Sequence, residues 1–321
     1  MHEVTVVGAG VVGLTTAVRL QEAGLRVGVV SAERPERTTS AAAGAVWYPF
    51  SVGPPEAVSR WARATRAWLL ELSRAVSEAG VDMLTVRECA ANAQRPWWAD
   101  AVEPVRLVDG PQPSGARLAW EFEAPRVEPA LHLRWLESRL DRPIEIARVD
   151  RLDDVPGDTV VNCTGIGARR LTSDETLKAL LGQTVIVEPG AVDPRQMYGD
   201  ERDLSAMLYV IPRRAEVVLG GCALPFEGDV PPPPDPALRA AFLERARAAG
   251  FRHGAVLRDA VGLRPVRAEV RVERVGRIVH HYGHGGAGYT LARGSAEDVV
   301  SLVARCPAGY RPGAGSRGPA P

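Results

Sequence analysis

The chain has 321 residues, 45% of them hydrophobic and 24% charged, with 39 basic and 39 acidic side chains. That length allows one large domain or two interleaved ones around a substantial core, and the zero net charge gives no case for a nucleic-acid partner or a disordered acidic surface. No apolar run approaches the roughly 20 residues of a membrane span, no signal segment opens the chain, and Cys89, Cys163, Cys222 and Cys306 lie too far apart for a disulfide framework or zinc ribbon.

The cysteines read as free thiols in a reducing cytoplasm. Lys178 is the only lysine, an arginine bias read as bacterial codon composition. Residues 4–7 form a short β-branched run suited to a buried parallel strand. Gly8-Ala9-Gly10-Val11-Val12-Gly13 follows at once as G-x-G-x-x-G. Residues 14–23 then read as a helix with Ala17 and Leu20 inward and Gly24 as a left-handed cap, and 27–30 as a second strand. In that order these make a dinucleotide-binding β-α-β unit. Gly8 permits the tight turn, Gly10 the approach of a pyrophosphate to the backbone of Ala9, Val11 and Val12, and Gly13 close packing of helix on strand. The N–H groups of the first helical turn face the phosphates. Glu33, a little beyond the usual spacing, is either the ribose carboxylate or a solvated loop residue. The motif alone fits a nicotinamide or a flavin dinucleotide.

In the stretch RTTSAAAGAVWYPF, from Arg37, the hydroxyls of Thr38, Thr39 and Ser40 either reach phosphate and ribose or form an ordinary turn. Residues 56–79 carry Val58, Trp61, Thr65, Trp68, Leu72 and Val76 at helical spacing, a core stripe. A helix is expected at 130–140, a strand at 144–149, and a buried strand at 158–165 ending in Thr164-Gly165. Strands follow at 183–188 and 208–211, with 216–219 as the return arm of a hairpin. Residues 231–234 are a proline spacer, 237–249 a helix, and the Gly/Pro-rich end a loose tail. Parallel-type elements stand at the beginning, middle and end with antiparallel segments between, so two domains are woven from one chain.

The segment IVHHYGHGGAGYTLARGSA, residues 278–296, poses a choice between a metal site and a cofactor turn. Gly283, Gly285, Gly286 and Gly288 argue against a helix that would align His280 with His284. On a strand His280 and His281 face opposite ways, and no Cys or acid adjoins to complete four ligands. No metal is expected. The competing arrangement is a strand over 277–282, a glycine turn, and a helix from about Thr290 whose N-terminus stabilises negative charge on a reduced flavin. Two glycine-rich strand-turn-helix units favour a flavin dinucleotide, one for its pyrophosphate and one for its ring.

Taken together, VVGAGVVGL, AAGAVWYPF around Gly44, VVNCTG at 160–165, LYVIP at 208–212, VGLRPVR at 261–267 and VHHYGHGGAGYT at 279–290 resemble the D-amino-acid oxidase family, with Gly294 and Ala296 in register. The resemblance covers most of the chain. It implies an α/β fold: a Rossmann-like FAD-binding domain (1–50, 130–182 and 277–306) interleaved with an α+β substrate-binding domain on an antiparallel or mixed sheet (51–129 and 183–276), and a flexible tail at 307–321.

It also implies FAD as cofactor, a neutral D-amino acid and molecular oxygen as substrates, and hydride transfer from the α-carbon to flavin. Oxygen then takes the electrons to give hydrogen peroxide, and water hydrolyses the imine to a 2-oxo acid and ammonia. By match to the family motifs, Arg264 forks onto the substrate carboxylate, Tyr209 adds a second bond to it, and the Gly286 carbonyl receives the amine. Gly285, Gly286, Gly288, Tyr289 and Thr290 line the flavin, and Gly44 and Val149 join the cofactor set. The guanidinium is a planar bidentate donor that lysine cannot copy, and no side-chain base is needed if the amine arrives neutral. Two departures stand out: Ser205 where some members carry a lid tyrosine, and Tyr48 where a smaller polar residue is usual. A D-aspartate oxidase would need a further cation, for which Arg213 and Arg214 are present although a hairpin turn suits them better. A glycine or sarcosine oxidase fits LYVIP and VGLRPVR less well than the D-amino-acid branch does, and Arg264, Tyr209 and the glycine turn speak against a non-catalytic dinucleotide-binding protein. A homodimer is compatible with the sequence, which does not define one.

Overall fold

The computed structural model describes residues 3–49, 52–204 and 206–305. Phe50, the lid position Ser205, Cys306 and the tail expected at 307–321 lie outside them. In chain order the strands are β1 (Glu3–Val7), β2 (Arg26–Ser31), β3 (Val81–Ala90), β4 (Val105–Asp109), β5 (Leu118–Val127), β6 (Glu145–Ile146), β7 (Thr159–Asn162), β8 (Lys178–Val187), β9 (Gln196–Asp200), β10 (Leu208–Pro212), β11 (Val217–Gly220), β12 (Leu224–Phe226), β13 (Val256–Val275) and β14 (Ile278–His284). The helices are α1 (Val11–Glu22), α2 (Pro55–Ala75), α3 (Pro129–Ser138), α4 (Ala168–Thr172), α5 (Pro236–Ala248) and α6 (Gly288–Ala304).

The strands form one mixed sheet in the order β4-β5-β3-β9-β10-β11-β8-β13-β14-β7-β1-β2-β6, with β12 paired to β8. At one end β14, β7, β1, β2 and β6 run parallel. At the other the ladders are antiparallel except between β3 and β9. The parallel end is valine-rich because its strands are covered on both faces: Val4, Val6, Val160, Val161 and Val279 are fully buried. A large core joins this end to α1, α2, α3 and α6, while a second cluster on the opposite face of the antiparallel end gathers Val185, Tyr198, Leu208, Val210 and Leu219 under Phe242 of α5.

Element ends differ from expectation for local reasons. α1 starts at Val11, so Gly13 is inside its first turn, and it closes with Gly24 in the left-handed region, as the sequence predicts. α2 stops at Ala75, where Val76 opens a short 3-10 turn closed by left-handed Gly80. The strand expected at 144–149 shrinks to the two residues of β6, an edge strand with a single neighbour. β13 is disguised in the sequence by Gly262 and Pro265; it runs for 20 residues, its pairing with β14 interrupted by a bulge between Val266 and Arg271.

Candidate active site

Gly8 adopts φ +115°, and a Cβ there would overlap the Cys163 carbonyl at the end of β7. A Cβ on Gly13 would overlap the Gly8 carbonyl. Helix, loop and two strands therefore meet with no room for side chains, leaving the loop backbone as the surface on offer. The Ala9 N–H donates to Ser31 Oγ at 3.2 Å and the Val11 N–H to Ser40 Oγ at 2.9 Å. These hydroxyls, from the end of β2 and from the 3-10 turn Thr39–Ala42, ring the loop. The Val12 and Gly13 amides sit in the first turn, where a helix offers no internal acceptor. Thr38 Oγ1 donates to the Pro35 carbonyl at 2.7 Å and lies close above Gly10.

The second glycine turn is brought to the first. A Cβ on Gly288 would touch Val11 at 3.4 Å, so the N-termini of α1 and α6 adjoin. Tyr289 Oη donates to the Ser40 carbonyl at 3.0 Å, and Thr290 Oγ1 accepts from the Tyr48 N–H and donates to the Tyr48 carbonyl. Buried Tyr289 and Thr290 thus pin the 38–48 segment to α6. Gly44 lies against Ile211 of β10. The Gly285 N–H donates to the Pro265 carbonyl at 2.9 Å, which places the exposed Gly286 beside the strand bearing Arg264. Val149 stands apart in a loop beyond β6, packed near Val7 and Val160, its carbonyl accepting from Arg170. Glu33 is exposed two residues past β2.

On the antiparallel end, one face carries a lateral row. Glu88 pairs with Gly199, Gly199 with Tyr209, Tyr209 with Gly220, and Gly220 with Thr184. The ring of Tyr209 lies over Gly220 and Gly221, where a Cβ would come within 2.5 Å of it. The guanidinium of Arg264 lies over Gly182 in the same manner, 2.5 Å from such a Cβ. Glycines hollow the sheet, and Tyr209 and Arg264 fill the hollows. Arg264 Nη1 donates to the Cys222 carbonyl at 2.7 Å and the guanidinium also bonds the Tyr209 hydroxyl. Burial pushes the Tyr209 hydroxyl up to about 12, with Arg264 opposing, so it stays a protonated donor.

Sequence reasoning missed the acidic members of this face. Glu88 is buried, and burial with the nearby Glu201 and Asp200 holds its carboxyl far above the usual range. Glu201, just past β9, interacts with Arg264, Tyr209 and Tyr48. The one local signal is Glu88 at an inward position of an alternating strand, in step with Leu84 and Val86. Tyr48 packs edge-on to Trp98 at 5.5 Å and stacks on Phe122 at 6.5 Å, closing the hollow with aromatic surface.

The remaining candidates have structural partners. His281 Nδ1 lies 3.0 Å from Thr16 Oγ1 and its Nε2 2.8 Å from Ser295 Oγ, between α1 and α6; His284 adjoins the same serine at 3.3 Å. His280, on the other side of β14, faces Asn162. Arg213 is engaged by Glu216 and the Ala43 carbonyl, and Arg214 by Asp82, around the hairpin between β10 and β11.

Residues 3–302 match the family model described as FAD dependent oxidoreductase. The chain is 38% identical to a D-amino-acid oxidase of Rubrobacter xylanophilus over 93% of this chain and 94% of that one. It is 37% identical to a D-amino-acid oxidase of Streptomyces coelicolor over 94% and 96%. A D-aspartate oxidase of Homo sapiens is 31% identical over 94% and 95%. Among solved structures, a glycine oxidase from Bacillus cereus superposes with TM-score 0.76 at 19% identity, covering 95% of this chain and 97% of that one, and speaks to the fold alone. The glycine loop, the two adjoining helix N-termini and the matched span lead to one conclusion: the chain belongs to the FAD dependent oxidoreductase family, alongside the D-amino-acid oxidases, and its cofactor is FAD.

Proposed function

We propose that the protein is a D-amino-acid oxidase, converting a neutral D-amino acid and oxygen to a 2-oxo acid, ammonia and hydrogen peroxide. The observation that carries this reading is Arg264 held over Gly182 beside the Tyr209 hydroxyl and next to the Gly285–Gly286 turn. The glycine loop suits the FAD pyrophosphate: its backbone carries no side chain at Gly8, Gly10 or Gly13, and its Ala9 and Val11 amides are met by the hydroxyls of Ser31 and Ser40. Gly8 to Gly13, Thr38, Thr39, Ser40 and Gly44 would hold the dinucleotide end, and Gly285, Gly286 and Gly288 the ring end. Tyr289 and Thr290 act from below, fixing the segment that carries Ser40. Val149 belongs to the same set as the residue at the carboxyl ends of the parallel strands.

When bound, FAD supplies the hydride acceptor and passes electrons to oxygen. The chain's own work is placement. Arg264 claims the substrate carboxylate through its guanidinium, a charge-assisted contact. Tyr209, a neutral donor, adds a second bond to the same group. The Gly286 carbonyl accepts from the amine, which sets the direction of the Cα–H bond. Tyr48, Trp98 and Phe122 exclude water from this space.

With Arg213 and Arg214 engaged at the hairpin, the face that bears Arg264 holds acids where a D-aspartate oxidase needs a second cation. The same reading divides the chain into a cofactor domain (1–50, 130–182, 277–306) and a substrate domain (51–129, 183–276). Supporting it, β1, β2, β6, β7 and β14 all fall in the first set. Among the described residues no helix is long and apolar enough to cross a membrane. A cytoplasmic location is proposed on the buried free thiols Cys89, Cys163 and Cys222, and a homodimer is the proposed assembly, checked by sedimentation.

Peroxide release in steady state tests the activity. D-Alanine is expected to support turnover while L-alanine and D-aspartate do not; turnover confined to glycine or to D-aspartate would refute it.

A further inference from the structure

Two carboxyls on the substrate face have no part in the placement of the α-carboxylate and amine. Glu88 is 5% exposed, its Oε2 has no hydrogen-bond partner among the described residues, and the carboxyl lies over Gly199, where any Cβ would collide with it. Glu88 accepts the Glu201 N–H. Glu201 is the first residue past β9, and its backbone bonds the Glu88 carboxyl that lies over Gly199. It shares that space with Arg264, Tyr209 and Tyr48. An unpartnered buried carboxyl oxygen that lies over a glycine and near a second acid is costly unless something uses it.

We propose that Glu201, backed by Glu88, is the charge selector at the side-chain end of the substrate site: it accepts the cationic side chain of a D-amino acid such as D-arginine, tolerates a neutral one, and rejects that of D-aspartate. This rests on the oxidase reading, in which Arg264 binds the α-carboxylate. In the free site Arg264 is the cation that Glu201 senses. Once a substrate carboxylate claims that cation, Glu201 must either take up a proton or face a new positive charge. A neutral side chain leaves only the first route. A guanidinium or ammonium side chain supplies the second. A side-chain carboxylate forces like charges together.

The groups facing Glu201 are Glu88 on β3, Asp200 on β9, Tyr209 on β10, Arg264 on β13 and Tyr48. Asp200 is already held by Arg202 and Ser114. Burial pushes Glu201 up to about 7, with Arg264 opposing and Asp200 reinforcing, so its ionisation falls in the working range. Preference for a cationic side chain is therefore expected to grow as pH rises through neutrality.

The test is kcat/KM for D-arginine, D-alanine and D-aspartate at pH 6, 7 and 8, on the FAD-loaded protein and on Glu201→Gln. For the unaltered protein the D-arginine to D-alanine ratio rises with pH. In Glu201→Gln that ratio falls about tenfold or more at pH 8, its pH slope flattens, and the D-aspartate to D-alanine ratio rises. The slope in the unaltered protein decides without any variant: a flat or falling ratio overturns the selector. Turnover of D-alanine with ratios that Glu201→Gln leaves in place overturns it too and spares the oxidase. No turnover of any D-amino acid overturns both.

Discussion

The two ends of the sheet build their sites in opposite ways. At the parallel end, six consecutive residues from Gly8 to Gly13 make a surface out of bare backbone, and the first turn of α1 supplies the amides. At the antiparallel end, the residues that meet come from β3, β9, β10, β11, β8 and β13, aligned across strands. There glycines create hollows that other strands' side chains fill. Glycine works as exposed backbone at one end and as a vacated volume at the other. The first use is local in sequence, and the second is visible only once register is known.

Breaking the parallel end should have the largest effect. Gly13→Ala puts a Cβ into the Gly8 carbonyl, so the loop must open or the helix must retreat. The purified variant is expected to carry little or no flavin, read from the visible absorbance relative to the protein band. Full cofactor content would show that the loop is not the pyrophosphate site.

At the antiparallel end, Arg264→Ala is the next largest. Removing the partner of a desolvated carboxylate costs about 2–5 kcal/mol, expected mainly as a raised KM for D-alanine with flavin content unchanged. Unaltered kinetics would remove Arg264 from the carboxylate site.

A third test compares stability with pH. Burial holds His132 at about 4 and His284 at about 3, below the unfolded value near 6.5. A depressed folded pKa means the unfolded chain binds the extra protons, so this stability is complete above about pH 6.5 and is lost as pH falls toward 4 and 3. At pH 5 each group costs about 2 kcal/mol, while the raised carboxyls Glu88 and Glu201 act in the opposite sense. A lower melting temperature at pH 5 than at pH 7 is expected, and His284→Asn should reduce the difference. A melting temperature independent of pH would contradict it.

The smallest effect distinguishes donor from filler. Tyr209→Phe keeps the ring over Gly220 and Gly221 and removes the hydroxyl proposed to bond the substrate carboxylate. About 1 kcal/mol is expected in kcat/KM. A loss as large as that of Arg264→Ala would mean the hydroxyl does more than position substrate.

This contrast also explains what is legible in the sequence. β1, the glycine loop, α1, Gly24 and β2 are readable because every determinant is contiguous. The 278–290 turn is readable for the same reason, though α6 begins at Gly288 and His281 and His284 serve the α1–α6 interface. Arg264 and Tyr209 emerge only through family motifs. Long β13 is hidden by Gly262 and Pro265, and β3, β5 and β9 carry no sharp boundaries, so the cross-strand alignment of Glu88, Gly199, Tyr209 and Gly220 leaves no trace in the sequence beyond the alternation around Glu88 and the 208–219 hairpin.

In the proposed function, the glycine loop and the glycine-hollowed face serve one flavin and one D-amino acid together. Anaerobic addition of D-alanine, then separately L-alanine, to the flavin-loaded protein tests it most directly. Bleaching of the visible flavin band by D-alanine alone is the predicted result. A flavin band untouched by D-alanine, or bleached equally by both forms, would contradict it.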